Sequence, residues 1–389
     1  MHDKLENHRL KDLMRAHVAI DAREKTNIYI KKNGYINFSA NDYLGLTHCE
    51  EIKHAFFNAI EKHGFGSVSS ALVSGYYTEQ QQLEQAFANF LQYPRTLYVG
   101  SGYLANIAVL TAIASRNSVV ISDKLSHASS LDGVTLSRAK HYRFSHNNFI
   151  ALQKRIASIK KQHGNKNTII TTDGVFGMSG ELCQLIPIVK IAEKNNATLI
   201  IDDAHGIGIL GKEGRGIREY YNIPTEFIDC LVIPLSKAFA GQGAIIAGSN
   251  ELIETIVQFA VSYRCTTAPL PAITNALLVS LAVVQQQTWR REKLKDLITF
   301  FNFVAKDRNL PLISENISPI KSFLLGNNKL AQLVQQDLQR MGFYTACIRP
   351  PSVPEASARL RISLSCHHDK QKIIKLLDCL QIVYEKYKK

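Results

Sequence analysis

Four short apolar runs, residues 119–122, 168–172, 198–202 and 230–235, end in side chains able to move protons or bind ligands. Asp123 and His127 follow the first, Asp173 the second, Asp202, Asp203 and His205 close the third, and Ser236-Lys237 follows the fourth. Runs this rich in β-branched residues suit strands covered on both faces, and open α/β sheets bind ligands beyond the carboxyl ends of their strands. One rim is therefore expected to carry two histidines, several aspartates and a lysine. A fifth stretch, GSGYLAN at 100–106, sets small residues ahead of a helix start, where backbone N–H groups can cradle a phosphate. Each feature has a plainer reading: an Asp after a strand is commonly a turn residue or helix cap, Gly-Ser-Gly a simple turn, and a loop lysine solvated surface. His127 and His205 lack the HxxxH or HxH spacing of a metal site, so no metal is expected. Taken together, the set has one joint chemistry, that of pyridoxal 5'-phosphate. A lysine amine forms the Schiff base, a carboxylate keeps the pyridine nitrogen protonated, an imidazole covers the ring, and backbone N–H groups hold the phosphate. Lys237 stands between an apolar run and the small, Gly-rich AFAGQGA, where burial would favour the neutral amine such chemistry needs.

Holding those residues on one rim requires helices alternating with strands. Helical periodicity is expected over residues 79–92, 104–115, 149–163 and 185–195, with a further strand at 243–247. That alternation predicts an α/β fold, a mostly parallel sheet covered by helices. Ahead of it, residues 4–16 read as a weakly amphipathic helix and IYIKKNGYINFSA as a β-hairpin turning at Asn33-Gly34. The last third differs: a helical stretch over 273–306, broken near Thr288-Trp289, then short strands at 320–325, 344–348 and 359–364, and helices at 328–341 and 369–387. The expected organisation is an N-terminal helix and hairpin (1–47), a large cofactor-binding domain (48–280) and a smaller C-terminal α+β domain (281–389). The 389 residues are enough for two or three domains. Lys and Arg outnumber Asp and Glu 46 to 33, a net charge of +13, which suits polyanionic substrates such as a coenzyme A ester or an acidic carrier protein. The basic residues are scattered without aromatic interleaving, so no nucleic-acid groove is expected. No apolar run approaches a membrane span, the charged N-terminus is no signal peptide, and seven dispersed cysteines read as reduced thiols, so a cytoplasmic protein is expected.

Several of these segments, in order, resemble the α-oxoamine synthases, fold type I pyridoxal-phosphate enzymes that condense an amino acid with an acyl thioester and release CO2. They are NFSANDYLGL (37–46), GSGYLAN (100–106), DKLSHASSLDG (123–133), IIDDAHGIGILGKEGRG (200–216), SKAFAGQGA (236–244) and RPPSVPEASARLRISLSCHH (349–368). The resemblance runs from about Arg15 to the C-terminus, and the RPPSVP segment points to the branch that joins L-alanine to a pimeloyl thioester. It implies that Lys237 is the Schiff-base lysine and Cα acid/base, that Asp202 pairs with the pyridinium nitrogen, and that His205 bonds the phenolic oxygen. His127 would stack on the ring and orient the acyl substrate. Gly102 and Tyr103 would hold the phosphate, Ser236 would also bind the cofactor, and Thr267 would reach the phosphate of a neighbouring subunit in a homodimer. Asn41 and Arg361 would bind the amino-acid carboxylate, and Arg15 the acyl chain's distal carboxylate. Three positions depart from the family: Gly177 replaces a serine, Pro234 a phosphate-binding threonine, and Leu72 a common Arg or His. The alternatives left open are a sister enzyme using glycine or serine, an aminotransferase, a cofactor-binding protein without catalysis, and a basic nucleic-acid binder.

Overall fold

The computed structural model describes residues 2–164 and 166–388, and it divides into two compact units. The larger comprises Cys49–Phe176 and Leu182–Thr288; the smaller comprises the described residues of Met1–His48 and Trp289–Lys389, together with Gly177–Glu181. Strands and helices are numbered along the chain.

In the smaller unit, α1 (His2–Leu10) precedes β1 (Ala22–Glu24), β2 (Asn27–Ile30) and β3 (Asn33–Asn37). The amphipathic helix expected over 4–16 stops at Leu10 and buries none of its residues. The hairpin also turns elsewhere than expected. Ile30 pairs with Asn33, so Lys31 and Lys32 form the two-residue loop, with φ of 48° and 67°. Both lie in the left-handed region a type I′ turn demands. Gly34 instead sits opposite Tyr29 inside the strand pair, where a Cβ would come within 3.4 Å of the tyrosine ring.

The larger unit is built around a seven-stranded sheet. Its strands are β4 (Arg95–Val99), β5 (Val119–Asp123), β6 (Lys140–Phe144), β7 (Thr168–Asp173), β8 (Thr198–Asp202), β9 (Cys230–Pro234) and β10 (Ala244–Gly248). They lie in the order β4-β10-β9-β8-β7-β5-β6, with β10 antiparallel to both neighbours and the other pairs parallel. Every residue of β5, β7, β9 and β10 is buried, as a sheet covered on both faces requires. The chain proceeds from β5 outward to β6 and then returns to β7 on the other side of β5, which makes the β5–β7 boundary a topological switch point.

Helices cover that sheet: α2 (Glu50–His63), α3 (Thr78–Leu91), α4 (Gly102–Ile113), α5 (Ala128–Ser137), α6 (Phe149–His163), α7 (Leu185–Lys194), the short α8 (Ile217–Tyr220), α9 (Asn250–Phe259), α10 (Val261–Arg264) and α11 (Pro271–Gln286). Pro271 starts α11, where its missing N–H costs nothing. This helix packs on α2 and α3 and buries Leu277, Leu281 and Val284, each side chain contributing roughly 1.5–3 kcal/mol. That packing keeps all of α11 in the larger unit, so the seam falls after Thr288 rather than within the helix.

Beyond the seam, α12 (Trp289–Asp307) leads into β11 (Ile320–Gly326), α13 (Asn328–Arg340), β12 (Phe343–Tyr344), β13 (Ala346–Ile348), β14 (Ala358–Ser363) and α14 (Lys370–Lys388). Strand β12 joins β1–β3 by parallel pairing with β3, while β11, β14 and β13 form an antiparallel three-stranded sheet.

Candidate functional site

The aspartates at the switch point divide into two kinds. Asp123, at the end of β5, is spent on neighbouring loops: its carboxylate accepts from the Leu125 amide in its own loop and the Asn147 amide after β6, each at 2.7 Å, and pairs with His146 at 2.9 Å. Asp203, wholly buried, accepts from the Ile217 amide at 2.7 Å where α8 begins, and burial pushes its carboxyl well above the usual range. These two take the plain structural reading. Asp173 and Asp202 do not. They are register partners at the ends of β7 and β8, both buried. Burial, and then the charge of Asp202, push the Asp173 carboxyl well above its ordinary value. Two acids side by side favour a cationic partner, as a protonated ring nitrogen is.

Asp202 is held from two sides. One carboxylate oxygen accepts from the Ala204 amide at 3.1 Å and the other from Asn106 Nδ2 at 2.7 Å. Asn106 comes from the second turn of α4, whose N-cap Ser101 accepts from the Leu104 amide at 3.2 Å. Gly102 opens that helix against the end of β9: a Cβ there would come within 2.5 Å of Pro234 Cγ, so the bare backbone is required. Pro234 thus packs against the first residue of α4 where the family has a threonine hydroxyl, and leaves to the backbone N–H groups of the helix N-terminus the part of a phosphate cradle that needs no side chain. Tyr103 lies beside it, half exposed, its hydroxyl donating to Asp132 and its ring edge-on to His127 at 6.4 Å.

Lys237 is half-buried in a tight loop after β9, its carbonyl accepting from the Ala240 amide at 3.0 Å, with Ser236 exposed beside it. His205 is half-buried after β8, and His127 is exposed at the N-cap of α5, its Nδ1 2.7 Å from Ser129 Oγ. Thr267 is exposed in the loop after α10, and Leu72 is exposed in a single π-helical turn over Ala71–Gly75. A lysine, a held carboxylate, two imidazoles and a helix N-terminus thus belong to one unit, and this donor set fits a phosphorylated pyridine aldehyde. Among the described residues no group of three or more His, Cys, Asp or Glu is placed to hold a metal ion.

The smaller unit has its own polar cluster. Arg361, buried on β14, donates from Nε to the Gly177 carbonyl at 2.7 Å, from Nη1 to Ser363 Oγ at 3.0 Å and from Nη2 to Asn41 Oδ1 at 3.1 Å. Tyr43 Oη donates to the same Asn41 oxygen at 3.1 Å, and burial pushes its phenol up to about 12 despite the Arg361 charge. The position where a serine was expected, Gly177, thus serves Arg361 through its backbone oxygen. Tyr43 also bonds Arg361, so the guanidinium fork is held by four neighbours, and a planar fork of this kind is the geometry that recognises a carboxylate. Arg15 is exposed and donates to Ser352 Oγ at 3.3 Å, while Arg349 holds the preceding turn through the Asp12 and Met14 carbonyls. Asn106 and Ser129 were missed as site residues in the sequence, although both stand inside quoted motifs; their polarity within helical stretches was the available signal.

The model of the aminotransferase class I and II family matches residues 33–380. The chain belongs to that family, in its α-oxoamine synthase branch. It is 38% identical over 381 residues to an 8-amino-7-oxononanoate synthase of Pseudomonas putida (strain W619), covering 98% of this chain and 96% of that one. A solved 8-amino-7-oxononanoate synthase from Francisella tularensis superposes with a TM-score of 0.78 at 34% identity, over 91% of this chain and 98% of the other. A serine palmitoyltransferase from S. paucimobilis, solved with a bound PLP–myriocin aldimine, superposes with a TM-score of 0.93 at 25% identity, over 99% and 97% of the two chains.

Proposed function

We propose that this protein is a pyridoxal-phosphate-dependent acyltransferase that condenses L-alanine with a pimeloyl thioester, giving 8-amino-7-oxononanoate, CO2 and a free thiol in biotin biosynthesis. The observation that carries this reading is the gathering of Lys237, Asp202, His205 and His127 on one sheet rim, in a chain related end to end to enzymes of that name. Lys237 would hold the cofactor's aldehyde carbon, Asp202 its ring nitrogen, His205 its phenolic oxygen and His127 one ring face. The start of α4 at Gly102 and Tyr103 would hold the phosphate, with Ser236 a further cofactor contact. When bound, the group supplies an electron sink for the pair left at Cα by loss of a proton or of CO2.

The chain's own groups do the rest. Lys237 Nζ takes the Cα proton of the amino acid and returns one to Cα after CO2 has left. Arg361 and Asn41 receive the amino-acid carboxylate, and His127 orients the thioester carbonyl. Arg15 receives the distal carboxylate of the acyl chain. The donor is a coenzyme A ester or an acyl carrier protein, and the enzyme acts as a cytoplasmic homodimer in which Thr267 reaches the phosphate bound by the neighbouring subunit. No helix among the described residues is long and apolar enough to cross a membrane.

A second reading, a sister enzyme using serine or glycine with another acyl-CoA, is favoured by the TM-score of 0.93 to serine palmitoyltransferase. Equimolar L-alanine, glycine and L-serine offered with pimeloyl thioester, followed by mass spectrometry of the aminoketones, separates the two. Predominance of the alanine product supports the first reading, and predominance of a glycine or serine product overturns it.

A further inference from the structure

A continuous hydrogen-bond path joins Asp202, at the end of β8, to His127, in the loop after β5. Asn106, 2% exposed, spends both Nδ2 protons, one on Asp202 Oδ2 at 2.7 Å and one on Ser129 Oγ at 2.9 Å. The amide can stand only this way round, because Asp202 is acceptor-only when ionised and would repel the Asn106 oxygen. Ser129 is fully buried, and its hydroxyl oxygen already accepts from Asn106, so its own proton points to His127 Nδ1 at 2.7 Å. The Ser129 amide approaches the same His127 nitrogen at 3.3 Å. With two donors aimed at it, Nδ1 is an acceptor, and the imidazole proton belongs on Nε2.

We infer that Asn106 and Ser129 are a positioning pair: from Asp202 they fix the direction of the Ser129 hydroxyl and so hold His127 in its Nε2-protonated tautomer, a hydrogen-bond donor toward the acyl thioester carbonyl. Only the last clause rests on the proposed function. The tautomer is a property of this chain, so the two claims fail separately.

The test is 15N NMR of histidine-labelled holoenzyme, with the His127 signals assigned by their loss in His127→Gln. The expected wild-type spectrum shows an unprotonated Nδ1 and a protonated Nε2 on His127. Ser129→Ala removes only the hydroxyl and should give a mixture of tautomers, while Ser129→Thr, which restores a hydroxyl, should return the wild-type pattern. Kinetically, Ser129→Ala should raise KM for the acyl thioester about two- to tenfold, the effect of one lost hydrogen bond, with KM for the amino acid unchanged. Asn106→Ala should show the same tautomer mixture and also bind pyridoxal phosphate more weakly, since Asp202 loses a donor. If Asn106→Ala does not fold, the Ser129 pair alone decides the matter. A protonated Nδ1 in the wild type, or an unchanged His127 spectrum in Ser129→Ala, overturns the inference. An unchanged KM for the thioester alongside a shifted tautomer overturns the role in acyl orientation.

Discussion

The rim of the seven-stranded sheet and the Arg361 cluster meet the problem of buried charge in opposite ways. On the rim, the register of β7 and β8 sets Asp173 beside Asp202, so like charges are adjacent and one acid is pushed toward its neutral form. Around Arg361, one cation is held by neutral groups, the Gly177 carbonyl, Ser363, Asn41 and Tyr43. In the first arrangement the charge of Lys237 only partly offsets the rise at Asp173, and in the second a planar cation is surrounded by neutral groups. Under the proposed function, a cofactor ring nitrogen and a substrate carboxylate would be the complementary charges. Polar groups that are equally buried thus differ in the sign of the charge that would complement them.

The contrast can be broken at either end. Lys237→Ala should lower turnover on the order of 10³-fold while leaving the melting temperature unchanged, as expected if the group removed moves the Cα proton. Turnover close to wild type would remove the rim from the chemistry. Arg361→Lys keeps the charge but loses the fork, and should raise KM for the amino acid roughly 10–100-fold, the worth of a charge-assisted hydrogen bond, without weakening the cofactor. An equal rise in the cofactor Kd would mean the cluster is structural.

His368 tests how far the smaller unit tolerates new charge. It is buried in the core and stacked on Phe38 at 4.0 Å, with the Ser365 amide donating to its Nδ1 at 2.9 Å and its Nε2 3.1 Å from the Asn37 carbonyl. Burial pushes its pKa down to about 3 from an ordinary 6.5. Between those values the unfolded chain binds the proton that the folded chain refuses, so stability falls as pH drops through that window, by at most about 1.4 kcal/mol per pH unit. Denaturant titrations of wild type and His368→Gln across it should differ in slope, and parallel curves would contradict a neutral, buried imidazole. The smallest effect belongs to the hairpin: replacing Lys31-Lys32 by Asn-Gly, residues at ease with positive φ, should raise stability by about 1 kcal/mol and leave activity untouched. A loss of stability there would contradict the turn assignment.

What could be read in the sequence follows from where the information sits. The buried parallel strands β5, β7, β8 and β9 announce themselves because both faces need apolar residues, and their polar ends then stand out against them. Strands β4 and β6 escaped notice: RTLYV and KHYRF mix charge with apolar residues, and β6 lies at the sheet edge, where most of its side chains meet solvent. The hairpin was found but its turn was misplaced, since Asn33-Gly34 is the stronger local signal and only the pairing of Ile30 with Asn33 shows that two lysines make the bend. Residues 41, 177, 361 and 363 share no local pattern, so the Arg361 network exists only in three dimensions. The Asn106–Ser129 link is equally long-range, because it needs α4 and α5 packed side by side.

The claim that matters most is that Lys237 is the residue to which the cofactor is joined. Reconstitution with pyridoxal phosphate, reduction with borohydride and peptide mapping by mass spectrometry would test it directly. The expected result is a phosphopyridoxyl group on the peptide carrying Lys237. Label on another lysine, or none on any, would contradict it.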